Sequence, residues 1–275
     1  MVRSHKKIRL ISSVSLMLDL DLYLRVHREI ESLGLPKVWS VMLVNHLENH
    51  DDALDEAERI LKRLHQGEHL VRILGWTYFS GHRFAVYEEV LMPRFDTETL
   101  IESVMLKPGD VVVDWCTGTG CVGISLALRQ EAQVFLLDKF DMPCQNAKAN
   151  VVNHGLGHRV QVIQSDCFEP WPFDGVDVIV ANPPYIDCHD ACLQDLVNDP
   201  LSALIAENHG LSFYERFLNV GGQYLRSGGQ MCLEIGFNQA ADVLQLAKDC
   251  GWSDRKVLKD LGGRDRVVVM RKGRL

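Results

Sequence analysis

"VVVDWCTGTGCVG", residues Val111–Gly123, decides how the rest of the chain is read. Val111–Val113 is an apolar β-branched run of the kind that forms a strand buried on both faces. The run closes on Asp114 and Trp115, and Gly118, Gly120 and Gly123 then follow in G-x-G-x-x-G spacing. Glycines at that spacing mark a tight turn from a strand into a helix. The same strand–turn–helix pattern recurs downstream. Strands are predicted at Val111–Trp115, Gln133–Asp138, Arg159–Ser165, Val176–Ala181 and Met231–Ile235, and helices at about Gly120–Arg129, Met142–His154, Leu211–Leu225 and Gln239–Cys250. Strands alternating with helices specify an α/β fold with a doubly wound, mostly parallel sheet. The tail, "KVLKDLGGRDRVVVMRK" (Lys256–Lys272), reads as two strands joined at Gly262-Gly263. These add antiparallel pairing at one edge and bring the sheet to seven strands.

Three carboxylates fall at the ends of the first three predicted strands. Asp138 stands twenty positions after Gly118, the spacing at which a dinucleotide-binding unit places its ribose-binding acid. On that feature alone a nicotinamide oxidoreductase stays open, as does a packing turn with a solvated strand-end acid. Asp114 points elsewhere. A carboxylate immediately before the glycine turn is awkward for a pyrophosphate and suits a cationic ligand carrying an amino-acid group. S-adenosylmethionine has a sulfonium, an ammonium and a ribose, and no phosphate. Asp166, in "QSDCF", is placed to accept from an adenine amine. Three aspartates on one sheet edge make an acidic rim.

The remaining composition narrows the class. The 275 residues suffice for one large domain with a smaller one attached. A net charge of −8 argues against a broad electrostatic grip on nucleic acid. No apolar run reaches the roughly 18 residues of a membrane span. The basic start, Met1–Arg9, is not followed by an export signal, so a cytoplasmic protein is expected. All eight cysteines lie between Cys116 and Cys250 and are expected to be reduced. Cys188, His189 and Cys192 have no second ligand pair at a zinc spacing, and no metal is expected. Residues 1–75 read as a helical domain: "LMLDLDLYLRVHREIESLG" ends on Gly34, and "DDALDEAERILKRLHQGEH" runs from acidic to basic as a helix dipole favours. Residues 76–95 read as a β-hairpin linker around Ser80-Gly81, and 96–275 as the ligand-binding domain, with Asp96 as cap of its first helix. Gly221-Gly222-Gln223 and Gly228-Gly229-Gln230 read as local structure, the second as a turn opening a strand.

The fourth strand ends in "DVIVANPPYID" (Asp177–Asp187), where Pro183 and Pro184 stiffen the exit immediately behind Asn182. Alone, Asn182 is a common turn residue; behind this glycine turn it reads as functional. "DWCTGTG" with "ANPPY" resembles class I S-adenosylmethionine-dependent methyltransferases that act on planar amide or amine nitrogens. With "RILGWTYFSGHRF", "VLMPRFDTETL", "LEIG" and "DLGGRDRVV" in order, the chain from about Leu64 onward resembles the HemK/PrmC family of protein glutamine methyltransferases. The resemblance implies a Rossmann-like domain, S-adenosylmethionine as cofactor, and a protein substrate methylated on glutamine in the Gly-Gly-Gln motif of class-1 release factors. The cofactor residues it implies are Cys116, Thr117, Gly118, Thr119, Gly120 and Asp138, with Asp166 and Cys167 near the adenine. Asn182, Pro183, Pro184 and Tyr185 would form the glutamine pocket. Asn182 and the Pro183 carbonyl would accept the two amide N–H groups, and Tyr185 would pack on the amide plane.

The sequence departs from the family pattern in places. Cys116 replaces the usual first glycine of the turn and takes positive φ only at a cost. Phe95 stands where a proline is usual, and Asp199 where a glutamate is. Trp115, Cys116 and Cys121 resemble a sister branch that modifies a ribosomal protein, which stays an alternative substrate. A nucleic-acid amino-methyltransferase sharing the NPPY pocket is a further one, and a catalytically silent binding protein another.

Overall fold

The structure is a computed structural model and describes residues 20–166, 168 and 175–273. The first residues of the first predicted helical stretch, 16–19, and the basic start lie outside the described residues. The chain divides into two compact units between Gly75 and Trp76.

The first unit is helical. α1 (Leu20–Ser32) buries Leu22, Val26 and Ile30, one residue per turn on a single face. α2 (Lys37–Leu47) buries Met42, Leu43 and Leu47. α3 (Ala53–His65) buries Ala57, Ile60, Leu61 and Leu64, with Asp55 and Glu56 in its first turn and Lys62, Arg63 and His65 in its last. α4 (Leu70–Leu74) ends on Gly75 at φ 71°, a left-handed cap.

The second unit opens with a hairpin, β1 (Trp76–Phe79) and β2 (His82–Ala85), paired antiparallel across Ser80-Gly81. Pairing stops at Ala85, well short of residue 95. A 3-10 turn, Phe95–Thr97, precedes α5 (Glu98–Ser103). No side-chain cap bond is made there, so Asp96 does not cap α5 as the sequence suggests. β3 (Val111–Trp115), α6 (Cys121–Arg129), β4 (Gln133–Asp138), α7 (Asp141–Asn153), β5 (Val160–Gln164) and β6 (Val176–Ala181) then alternate. Helices Ser212–Tyr224 and Ala240–Asp249 flank β7 (Leu225–Glu234), and β8 (Ser253–Lys259) and β9 (Asp265–Arg271) close the chain.

The sheet has seven strands in the order β5-β4-β3-β6-β7-β9-β8. β3 to β7 pair parallel, whereas β9 pairs antiparallel with β7 and β8. The apolar strand residues divide between two cores, one on each face. Val112, Val134, Val178 and Cys232 lie on one side, and Val113, Ile179, Met231 and Trp115 on the other. This is the doubly wound α/β, Rossmann-like fold expected. The largest departure is β7, which begins at Leu225, six residues before the predicted start; β5 is one residue shorter at each end. The register of β7 jumps from Val176↔Leu225 to Val178↔Gln230. Gly228, at φ 76°, lets the chain take up the extra residues there without ending the strand. The Gly-Gly pair read as a turn therefore lies in an irregularity inside β7 and not at its start.

The sheet order fixes the location of the site. Chain order runs outward from β3 through β4 to β5, then returns to place β6 on the other side of β3. Ligands of open α/β sheets sit at such a reversal, beyond the carboxyl ends of the strands. Trp115 pairs with Ala181 across β3 and β6, so the glycine turn after Trp115 and the Asn-Pro-Pro-Tyr segment after Ala181 leave the sheet side by side.

Candidate active site

A cavity of about 620 Å³ opens over these strand ends. Its walls include Asp114, Cys116, Thr117, Gly118 and Thr119 from the end of β3 and the turn after it, Asp138 from β4, Asp166 from beyond β5, and Asn182 and Pro184 from beyond β6. The segment Glu89–Arg94 with Thr97 completes the lining. Gly120, Pro183 and Tyr185 are absent from the lining. Cys167 lies outside the described residues.

Each carboxylate has a distinct task. Asp114 is buried, and its Oδ2 accepts from Thr117 Oγ1 at 2.7 Å and from the Gly123 amide at 2.9 Å. Burial pushes its carboxyl up to about 7, against the pull of those two donors. Asp114 thus braces the glycine turn from beneath. Asp138 accepts from the Gly118 amide at 3.0 Å and the Phe140 amide at 3.1 Å, and burial also raises its pKa. It ties the end of β4 to the glycine turn. Asp166 lies two residues past β5 and pairs with Lys139 at 3.4 Å.

The three glycines serve different ends. Gly118 has φ 55° and space beside it, so a ligand can approach its backbone. A Cβ on Gly120 would stand 3.0 Å from Ile124 and 3.1 Å from Leu136, and one on Gly123 would stand 2.3 Å from Leu136. These two let α6 pack against β4. Cys116 adopts φ 55°, the left-handed conformation that the sequence reading marked as costly. The fold holds it there because Trp115 is locked in the sheet and the Thr117 amide donates to the Leu137 carbonyl at 3.0 Å. Cys116→Val, which adds a β-branched side chain at that φ, is expected to destabilise the protein by about 1–3 kcal/mol. Denaturant unfolding measures this, with Cys116→Gly as the tolerated comparison.

The Asn-Pro-Pro-Tyr segment is held at both ends. Asn182 Nδ2 donates to Thr97 Oγ1 at 3.3 Å. The Tyr185 carbonyl accepts from Gln239 Nε2 at 2.9 Å, and its phenol donates to Glu234 Oε1 at 3.4 Å. That contact turns the Tyr185 hydroxyl away from the cavity, toward Glu234. Burial pushes the phenol pKa up. Further on, Asp199 accepts from the Met92 amide at 3.0 Å and pairs with Arg94, joining the loop after the tyrosine to the Glu89–Arg94 segment. The substituted Asp199 is therefore a structural link, and Phe95 is an exposed residue of the 3-10 turn.

Sequence reading assigned no part to Thr97, Glu234 or Gln239. Thr97 and Glu234 sit inside quoted blocks, "VLMPRFDTETL" and "LEIG", but nothing local to either block shows what they face. Asn146 and Asn150, both fully buried in α7, were also missed. Their side-chain carbonyls accept from the Tyr87 and Ala85 amides at 2.9 and 2.8 Å, fastening the hairpin exit beside the cavity. Of the surface cluster, Cys188 and His189 gather with Asp187, their ligand atoms within 4.8 Å of one another; Cys192 stands outside that group. Among the described residues no helix is long and apolar enough to cross a membrane.

Comparison with known proteins agrees with this geometry. The methyltransferase small domain family matches residues 93–210. Release factor glutamine methyltransferase from Clostridium botulinum is 35% identical over 213 residues, 73% of this chain and 74% of that protein. The protein of the same description from Geobacter sulfurreducens is 33% identical over 248 residues, 88% of this chain and 86% of its own. Among solved structures, a methyltransferase from Pyrococcus furiosus shares the fold, with a TM-score of 0.56 at 15% identity, over 77% of this chain and 97% of that one.

Proposed function

The chain belongs to the release factor glutamine methyltransferase family, and from that premise we propose that it methylates the side-chain amide nitrogen of a glutamine in a class-1 release factor, within its Gly-Gly-Gln motif. The observation that carries the reading is Asn182. Its Nδ2 is committed to Thr97, so Oδ1 is the end left to accept from a substrate amide at the cavity wall.

The cavity suits S-adenosylmethionine by the chemistry of its lining. Asp114, Asp138 and Asp166 supply acceptors, and the nearby cations are already engaged: Lys139 with Asp166, Arg94 with Asp199, and Arg216 stacked 3.5 Å above the Phe168 ring. That set favours a ligand with positive charge and ribose hydroxyls over a pyrophosphate, which is why the nicotinamide reading falls away. Asp138 would take the ribose, Cys116–Thr119 would cradle the amino-acid end, and Asp166 would face the adenine. When bound, the cofactor supplies a methyl group on sulfonium sulfur, ready for in-line transfer.

The protein's task is to make a poor nucleophile adequate. Delocalisation into an amide carbonyl is strong, with rotation barriers of about 18–20 kcal/mol in peptides. Asn182 Oδ1 and the Pro183 carbonyl would accept the two N–H groups of the glutamine, holding the amide flat and its nitrogen electron-rich. Such acceptors act most strongly where positive charge develops in a site shielded from water. The prolines fix φ at both central positions, so the acceptors are in place before the substrate arrives. The N–H becomes acidic only as the new bond forms, and no strong base is needed. The helical first unit would recognise the protein substrate.

The reading is tested with methyl-labelled cofactor and three acceptors: a purified class-1 release factor, the same factor with its motif glutamine changed to alanine, and ribosomal proteins. Label is expected on the first alone. Transfer to a ribosomal protein, or none to the intact factor by protein that still binds cofactor, overturns it.

A further inference from the structure

Behind the cavity wall lies a buried polar chain that the reaction outlined above leaves without a role. Glu234 is the last residue of β7, and Leu233 pairs with Ala181 of β6, so Glu234 and Asn182 leave neighbouring strands at the same level. Both Glu234 and Thr97 are 2% exposed. Glu234 Oε1 accepts from the Tyr185 phenol at 3.4 Å. Oε2 is buried and takes no hydrogen bond of ordinary geometry, although the Thr97 hydroxyl lies near enough to favour the charged carboxylate. An unpaired buried carboxylate oxygen is costly. Its position beside a hydroxyl that is already accepting from Asn182 is therefore informative.

We propose that Glu234, acting through the Thr97 hydroxyl, dictates which end of the Asn182 amide faces the substrate. The inference rests on the reading that Asn182 Oδ1 accepts from the substrate glutamine. The two ends of an asparagine amide are close in size and opposite in hydrogen-bonding sense, so shape alone orients it poorly. A carboxylate only accepts. Facing one, Thr97 directs its single O–H toward Glu234 and has only lone pairs left for Asn182. Asn182 must then present Nδ2 to Thr97 and Oδ1 to the cavity. A donor in place of the carboxylate reverses the chain: Thr97 donates to Oδ1, and the NH₂ turns toward the substrate N–H groups. Glu234 is in this sense a positioning residue. Burial pushes its carboxyl up to about 7, opposed by Thr97, Arg266 and Tyr185 and reinforced by Asp96. Arg266 is itself paired with Asp260 at 3.1 Å, and the Tyr214 phenol donates to the Glu234 backbone carbonyl at 2.9 Å. Protonation of Glu234 puts a donor at the head of the chain, so turnover falls as pH drops through the region of 7.

Glu234→Gln tests this, because it keeps the shape while adding a donor. The expected result is a loss of kcat of at least about tenfold, with the calorimetric Kd for S-adenosylmethionine within about twofold, and loss of the acid-side fall in the kcat profile. The Asn182 side-chain N–H resonances of the cofactor-free protein, assigned through their absence in Asn182→Ala, should shift. Thr97→Val should lower kcat, Thr97→Ser should restore most of it, and Glu234→Gln should add nothing further in the Thr97→Val background. Wild-type kcat and an unshifted Asn182 signal in Glu234→Gln, or losses that simply multiply in the double variant, overturn the proposal. The resonance shift is read without any substrate, so failure of the release-factor assignment is seen separately, in the labelling of wild-type protein.

Discussion

Asn182→Ala is expected to lower turnover at saturating cofactor by about 10²–10³-fold, the scale seen when one hydrogen-bonding group aimed at developing charge is removed. Affinity for S-adenosylmethionine should stay within a few-fold. The separation follows from where the groups sit. The proposed cofactor residues come from the glycine turn after β3 and the end of β4, where Asp114 and Asp138 are held by backbone and hydroxyl donors within those segments. Asn182 reaches the cavity from beyond β6, and its side chain is bonded to Thr97 just before α5, outside the glycine turn. Truncating it leaves the turn intact and removes the acceptor for the substrate amide. Calorimetry and single-turnover rates measured on the same preparation separate the two effects. Loss of cofactor affinity by an equal factor, with the rate at saturation unchanged, would contradict the assigned role.

The fold was legible because buried parallel strands announce themselves. β3, β4 and β6 match the predicted boundaries residue for residue, since each is built on a short apolar run, Val111–Val113, Val134–Leu137 and Val178–Ala181, with a polar or charged residue beside it. β7 is read short from the sequence because Arg226–Gly229 is polar and glycine-rich, and local pattern does not show that the strand begins before it. The cavity-lining residues that lie within contiguous motifs, Asp114, Cys116–Thr119, Asn182 and Pro184, can be singled out from the sequence as well. Their supports cannot. Arg94 and Asp199 are 105 positions apart, Asn182 and Thr97 are 85 apart, and Tyr185 and Glu234 are 49 apart. Sequence spacing carries no information about such partners until the sheet order is known. Cys116 shows the converse: residue type marks a left-handed conformation there as unfavourable, and the fold imposes it regardless.

The largest stability effect is expected from a residue outside both motifs. Gly210 has φ 83°, and a Cβ placed on it would stand 2.1 Å from the Tyr185 carbonyl oxygen and 2.6 Å from Gln239 Nε2. Neither neighbour can give way cheaply. The Tyr185 carbonyl follows two prolines, and Gln239 is the donor that satisfies it. The next residue is pinned as well, with the Ile186 amide donating to Leu204 and its carbonyl accepting from Ala206, both at 2.9 Å. Gly210→Ala therefore combines left-handed strain of about 1–3 kcal/mol with an overpacking cost of similar size. A loss of about 3–5 kcal/mol is expected, on the order of 10 °C in Tm for a chain of this length. The surviving folded protein should turn over slowly, because the clash is relieved only by moving the segment that carries Asn182. Gly157→Ala is the control: its Cβ would meet nothing within 4 Å at an ordinary φ, and its Tm should barely change. Equal melting curves for the two variants would show that the Tyr185 segment is free to shift, and would remove the rigidity on which the amide-holding role of Asn182 depends.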